Sequence, residues 1–168
     1  MKIPKILPAF AAIGSAGTLW HFIYEWSGKS KIAAAFFPVN ESTWEHLKLL
    51  FFPALIYFII EYFVLKERPE NYISASAIGI VTGLISIIAL FYTYSGILGF
   101  NLPAVDIAIF FISLAAALYV RNVIIRNKAF SSRAVCIISV LVILLLCLLF
   151  VIWSFYPPNI GLFIPPKT

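Results

Sequence analysis

Charge is what this sequence has least of. Only 11% of its 168 residues are Asp, Glu, Lys or Arg, while 62% are hydrophobic; a soluble domain has about a quarter and about half. That excludes a soluble globular chain, because there is too little polar surface to cover the apolar one. Cysteine is scarce too. Cys136 and Cys147 lie in one apolar run, roughly 16 Å apart along a helix, which is beyond disulfide reach. They read as small packing residues. Only two histidines occur, with no internal repeat, no low-complexity tract and no His-Glu-x-x-His zinc-protease signature. The net charge of +5 does not imply nucleic acid. The basic residues flank apolar runs, which is a pattern of membrane topology.

Long apolar runs are abundant. Five of them, at about 6–26, 44–65, 73–95, 104–125 and 134–155, each approach the ~20 residues a helix needs to cross the hydrocarbon core. A spanning segment in lipid must satisfy its own backbone hydrogen bonds, so each is expected to be a helix. The expected fold is all-α: a polytopic membrane protein of about five helices, one domain over residues 1–168, multi-pass in the cell membrane. The first run is read as a retained helix rather than a signal peptide, because it continues to Trp26 and carries His21 and Glu25. A short interfacial or re-entrant helix is expected near residues 31–37. In the third run Ala75, Gly79 and Gly83 recur every four residues, a stripe that lets helices approach closely.

Orientation follows from Lys and Arg. Five spans place Lys2, Lys5, Lys66, Arg68, Arg121, Arg126, Lys128 and Arg133 on one side, with Lys29, Lys31, Lys48 and Lys167 on the other. The excess favours N-terminus inside and C-terminus outside. Trp20, Trp26, Trp44 and Trp153 then fall near the outer ends of their helices, where tryptophan prefers to lie. Arg121 reads as part of the inner loop cluster, and Glu61 as reaching Lys66 or the interface.

The polar chemistry collects in FFPVNESTWEHLKLLFFP, residues 36–53. Ser42-x-x-Glu45 reads as a capping box, with Asn40 able to cap one turn earlier. That accounts for Asn40, Ser42 and Glu45 without any function. It leaves His46, Lys48 and the His21/Glu25 pair one helical turn apart on the first span. Both histidines and the acids Glu25, Glu41, Glu45 and Asp106 are thereby expected at the outer end. Ionisable residues in a membrane protein usually face an interior or a wet cavity.

His21, Glu25, Glu45 and His46 form a candidate ligand set for a divalent metal such as Zn, Mn or Fe. His46, Glu45, Glu41 and His21 are candidate catalytic groups, by metal-activated water or by acid–base chemistry. Asn40, Lys48, Trp44, Asp106 and Tyr94 are candidate substrate contacts, with Lys48 suited to a phosphate. Glu25 could instead pair with Lys29, and Lys48 with Glu45. An intramembrane hydrolase or transferase for a lipid-like substrate leads. A metal-ion or proton transporter and a small accessory subunit remain open, and so does the question of enzyme or not. Expected partners are membrane lipids, with a protein partner or homo-oligomer left open.

The segments HFIYEWSG, FFPVNESTWEHLKLLFFP, YTYSGILGFNLPAVDI and YPPNIGLF resemble an uncharacterised family of small prokaryotic integral membrane proteins. The most specific block is PVNES-x-WEH-x-K, at Pro38 to Lys48. The resemblance implies a polytopic helical membrane protein and brings no activity with it. The tail departs from it, since Ile164 stands where an acidic residue is expected.

Overall fold

A computed structural model describes residues 5–166. Lys2 and Lys167, counted above for orientation, lie outside the described residues. Six α-helices follow in order: α1 Ile6–Trp26, α2 Lys31–Phe36, α3 Thr43–Val64, α4 Tyr72–Leu98, α5 Pro103–Arg126 and α6 Arg133–Phe155. A 3-10 turn, Gly161–Phe163, closes the tail. All except α2 are long and apolar enough to cross a membrane, so the chain has the make-up of a multi-pass membrane protein. Their bounds fall within three residues of those expected, because apolar run length and cap residues set both.

Local chemistry fixes the ends. Ser30, Ser42 and Ser132 each accept a backbone N–H of the helix they precede, satisfying donors that a first turn leaves open. Gly99, at φ +80°, ends α4 in the left-handed region, where glycine carries no Cβ penalty. Pro103 occupies the first position of α5, where no N–H is needed.

Apolar burial gains little when the solvent is lipid, so close approach and internal polar bonds matter more. α4 packs against α5 through the expected stripe. A Cβ on Gly79 would lie 2.8 Å from the Ala117 carbonyl oxygen, and one on Gly83 3.1 Å from Ala117 Cβ. α1 meets α3 in the same way: a Cβ on Gly17 would sit 2.5 Å from the Leu49 carbonyl oxygen. Pro53 stands inside α3 and has no N–H to offer the carbonyl four residues back, which is that of Leu49. Gly17 therefore lies against a carbonyl that the proline four residues on in α3 cannot satisfy. Ile13, Leu50, Phe51, Leu84, Leu118 and Phe150 fill the middle of the bundle. α6 fully buries only Ser139 and Phe150.

Two expectations change at the end opposite the histidines. Arg121 is no loop cation; it is buried in α5 and pairs with Glu61 of α3. Its Nε donates to Ser76 Oγ at 3.1 Å, and its guanidinium stacks over Phe58 and Tyr72. Tyr72 Oη donates to Glu61 at 2.8 Å. Glu61 thus turns inward to a buried guanidinium instead of outward to Lys66, because a half-buried carboxylate gains more from a fixed planar donor than from an exposed ammonium.

Candidate metal centre at one end of the bundle

Residues 37–42 lead from α2 into α3, and three side chains fold them. Asn40 Oδ1 accepts from Ser42 N at 2.9 Å, Ser42 Oγ from Glu45 N at 3.4 Å, and Glu45 Oε2 from Val39 N at 3.0 Å. The capping box is therefore only half reciprocal. Glu45 reaches past Ser42 to Val39, and Asn40 takes the N–H that Glu45 leaves. The result turns Glu41 toward the bundle end.

There it meets both histidines. Glu41 Oε1 is 3.7 Å from His21 Nε2, and Oε2 is 3.3 Å from His46 Nε2. The imidazole centroids are 5.5 Å apart, and one ligand atom from each residue falls within 4.8 Å of the others. Two imidazoles and a carboxylate held on α1, the loop and α3 could hold a metal ion. Tetrahedral zinc, with bonds of about 2.0–2.1 Å, sets its donors roughly 3.3 Å apart. The observed separations of 3.3 and 3.7 Å at the carboxylate need at most tenths of an ångström of contraction, and the rest of the group, within 4.8 Å, up to about 1.5 Å. Exposed Glu41 and the third-exposed imidazoles have room for it.

The hydrogen bonding of His46 narrows the chemistry. Its Nδ1 lies 3.0 Å from the Ser42 carbonyl oxygen. A carbonyl only accepts, so Nδ1 carries a hydrogen. In a neutral ring Nε2 then has only a lone pair, yet it faces a carboxylate oxygen at 3.3 Å. Two lone-pair donors at that distance require a cation, either a proton on Nε2 or a metal ion. Fixing one imidazole nitrogen on a backbone carbonyl so that the other can ligate is usual at metal sites. The side-chain hydrogen bond between His46 and Glu41, helped by the charge of both imidazoles, holds the Glu41 carboxyl below its ordinary value against the opposing effect of burial.

A family model matches residues 3–167, nearly the whole chain. The chain belongs to DUF6512, a family of unknown function. No curated protein and no solved structure matches it. DUF6512 thus assigns no role to the histidines, and their chemistry must be read from their surroundings.

The remaining candidate residues divide by location. Glu25 points away from the group and pairs with Lys29 at 3.4 Å in the open. Glu45 and Lys48 form a buried pair at 2.7 Å. Lys48 Nζ also has Ala34 O at 3.0 Å, Phe37 O at 3.3 Å and Ser154 Oγ at 2.5 Å, so its three N–H bonds are shared among four acceptors. With no exposed surface, its ammonium has no face left for a phosphate. Trp44, in the first turn of α3, is buried and packed on Phe150, Trp153 and Phe163. Asn40 is exposed, with its amide oxygen engaged in the loop. Tyr94 and Asn101 both donate to Asp106, so that acid is held by neighbours at the start of α5. Sequence reasoning missed Ser154, 106 residues beyond Lys48. A lone serine in an apolar run gives no signal of the partner it will meet.

Proposed function

We propose that the protein is a metal-dependent hydrolase or group transferase of the cell membrane, with its centre in the outer leaflet and a lipid-like substrate. His21, Glu41 and His46 are its ligands. The single observation carrying this is the His46–Glu41 contact, in which a ring already bonded through Nδ1 to a backbone carbonyl faces a carboxylate through Nε2. Two histidines and one carboxylate are a donor set that leaves a coordination position open. A divalent ion there would supply an activated water at neutral pH. The chain's own groups supply the rest. Ser42 O orients His46, Glu45 and Asn40 shape the loop that delivers Glu41, and the exposed side of Glu41 leaves the centre open to an incoming molecule. The orientation argued from Lys and Arg supports an outward-facing centre.

Transport is the second reading, and the core argues against it. Leu50, Phe51, Phe150 and Ile13, with almost no exposed surface, lie between the histidine end and the Glu61–Arg121 pair. That favours a centre worked from one face over a path through the bundle. The test is metal content of purified protein by elemental mass spectrometry. Close to one divalent ion per chain is expected, lost in His21→Ala and His46→Ala. Metal-free wild type, purified without chelator and after incubation with zinc, would overturn the reading.

A further inference from the structure

A second feature lies at the same end. A cavity of about 230 Å³ opens between the start of α3, the end of α4, the α4–α5 connection and the tail, lined by Thr43, Tyr92, Ser95, Asn101, Gly161 and Ile164 among others. Its walls include no Asp, Glu, Lys, Arg or His among the described residues. Thr43, on its wall, follows Glu41 by two residues and precedes His46 by three at the start of α3. On the other side Asn101 donates to Asp106 at 3.2 Å.

The lining states what would fit. Thr43, Ser95 and Asn101 are polar members of the lining; Ser95 donates to the Phe91 carbonyl and Asn101 to Asp106, while the Asn101 amide oxygen has no partner. Phe100 and Ile164 are exposed apolar residues of the lining. An anionic head would be buried without a counter-charge, which is costly. Lys48, the lysine nearest in sequence to Thr43, is sealed in its pair with Glu45. A chain leaving over Phe100 and Ile164 would pass directly into lipid.

We propose that this cavity binds the uncharged, hydroxyl- or amide-bearing head of a single-chain amphiphile and presents it to the histidine group. That the bound molecule is the substrate rests on the metal-centre reading above; the binding itself does not. Gly161 offers a clean way to close the cavity. A Cβ there meets nothing within 4 Å, and its backbone is outside the left-handed region.

The experiment is native mass spectrometry of the full chain in detergent, titrated with monooleoylglycerol and with lysophosphatidic acid bearing the same oleoyl chain. Metal content is measured on the same samples. Wild type is expected to bind the uncharged lipid at least about tenfold more tightly than the anionic one, and Gly161→Leu to lose about tenfold in that affinity with metal content unchanged. Thr43→Val, which keeps the volume and removes a hydroxyl, should weaken binding in the same direction and decides the matter if Gly161→Leu does not fold. Equal binding of the two lipids, or wild-type binding by the variants, would overturn the cavity as the site. Metal-free wild type that still binds monooleoylglycerol in a Gly161-dependent way would overturn the metal centre and leave the cavity standing.

Discussion

His46 makes two contacts that a neutral imidazole cannot satisfy together, one to the Ser42 carbonyl and one to the Glu41 carboxylate. Whatever stands at Nε2 must be positive, and the readiest candidates are a proton and a metal ion. Glu41→Gln keeps the shape and removes the charge that makes this necessary. Metal affinity is expected to fall by more than about tenfold in that variant, as read by competition with a coloured chelator; an affinity within twofold of wild type would show that Glu41 is no ligand. Acid provides a second test. The Glu41 carboxyl is held below its ordinary value of 4.5 by the hydrogen bond with His46 and the nearby imidazole charge. A depressed value in the folded state means that the carboxylate's contribution to stability is complete above the ordinary value and is lost as pH falls through the lowered one. The gap in melting temperature between metal-free wild type and Glu41→Gln should therefore close below pH 4.5. A gap that persists in strong acid contradicts the assignment. Legibility at this scale was partial. Spacing put His21 and Glu25 on one helical face, but Glu25 is drawn outward by Lys29. The carboxylate that meets the histidines comes from a loop whose shape depends on Glu45 reaching Val39, and no periodicity encodes that.

Between elements, polar pins and close backbone contacts hold the helices. Lys48 bridges the carbonyls of Ala34 and Phe37, the carboxylate of Glu45 on α3 and the hydroxyl of Ser154 on α6. Removing the ammonium alone strands a buried carboxylate. Lys48→Met is expected to cost about 3–5 kcal/mol by denaturation in detergent, with Lys48→Met/Glu45→Gln recovering much of it. A double variant as unstable as the single would mean that lost packing, not the stranded charge, dominates. The Gly17 contact offers an independent test. Gly17→Ala drives a methyl onto the Leu49 carbonyl and should destabilise by about 1–3 kcal/mol, whereas Gly96→Ala, with open space around its Cβ, should be neutral or stabilising by up to about 1 kcal/mol. The Gly79 and Gly83 stripe was legible because the four-residue repeat is itself the geometry. The α1–α3 contact was not, because it depends on a glycine of one helix meeting a carbonyl, that of Leu49, in another.

Across the whole molecule, the five long helices were readable because apolar run length is a direct measure of what a bilayer demands. The two polar ends were harder to read. The sequence collected the histidines and nearby acids in one region and offered Lys48 and Glu45 as a pair, but it did not show that this pair would be buried while Glu41 stayed open. At the other end it read Arg121 as a loop cation, although the arginine closes a buried pair with Glu61. Two ion pairs, Glu45–Lys48 and Glu61–Arg121, are held inside the bundle, whereas Glu41 of the histidine group stays exposed. The measurement that tests this account most directly is the metal content of wild type beside His21→Ala, Glu41→Gln and His46→Ala, each purified alike and checked for monodispersity. The account predicts nearly one divalent ion per wild-type chain and marked loss in all three variants. A wild-type protein that stays metal-free when offered zinc, manganese and iron, or variants that hold metal as tightly as wild type, would contradict it.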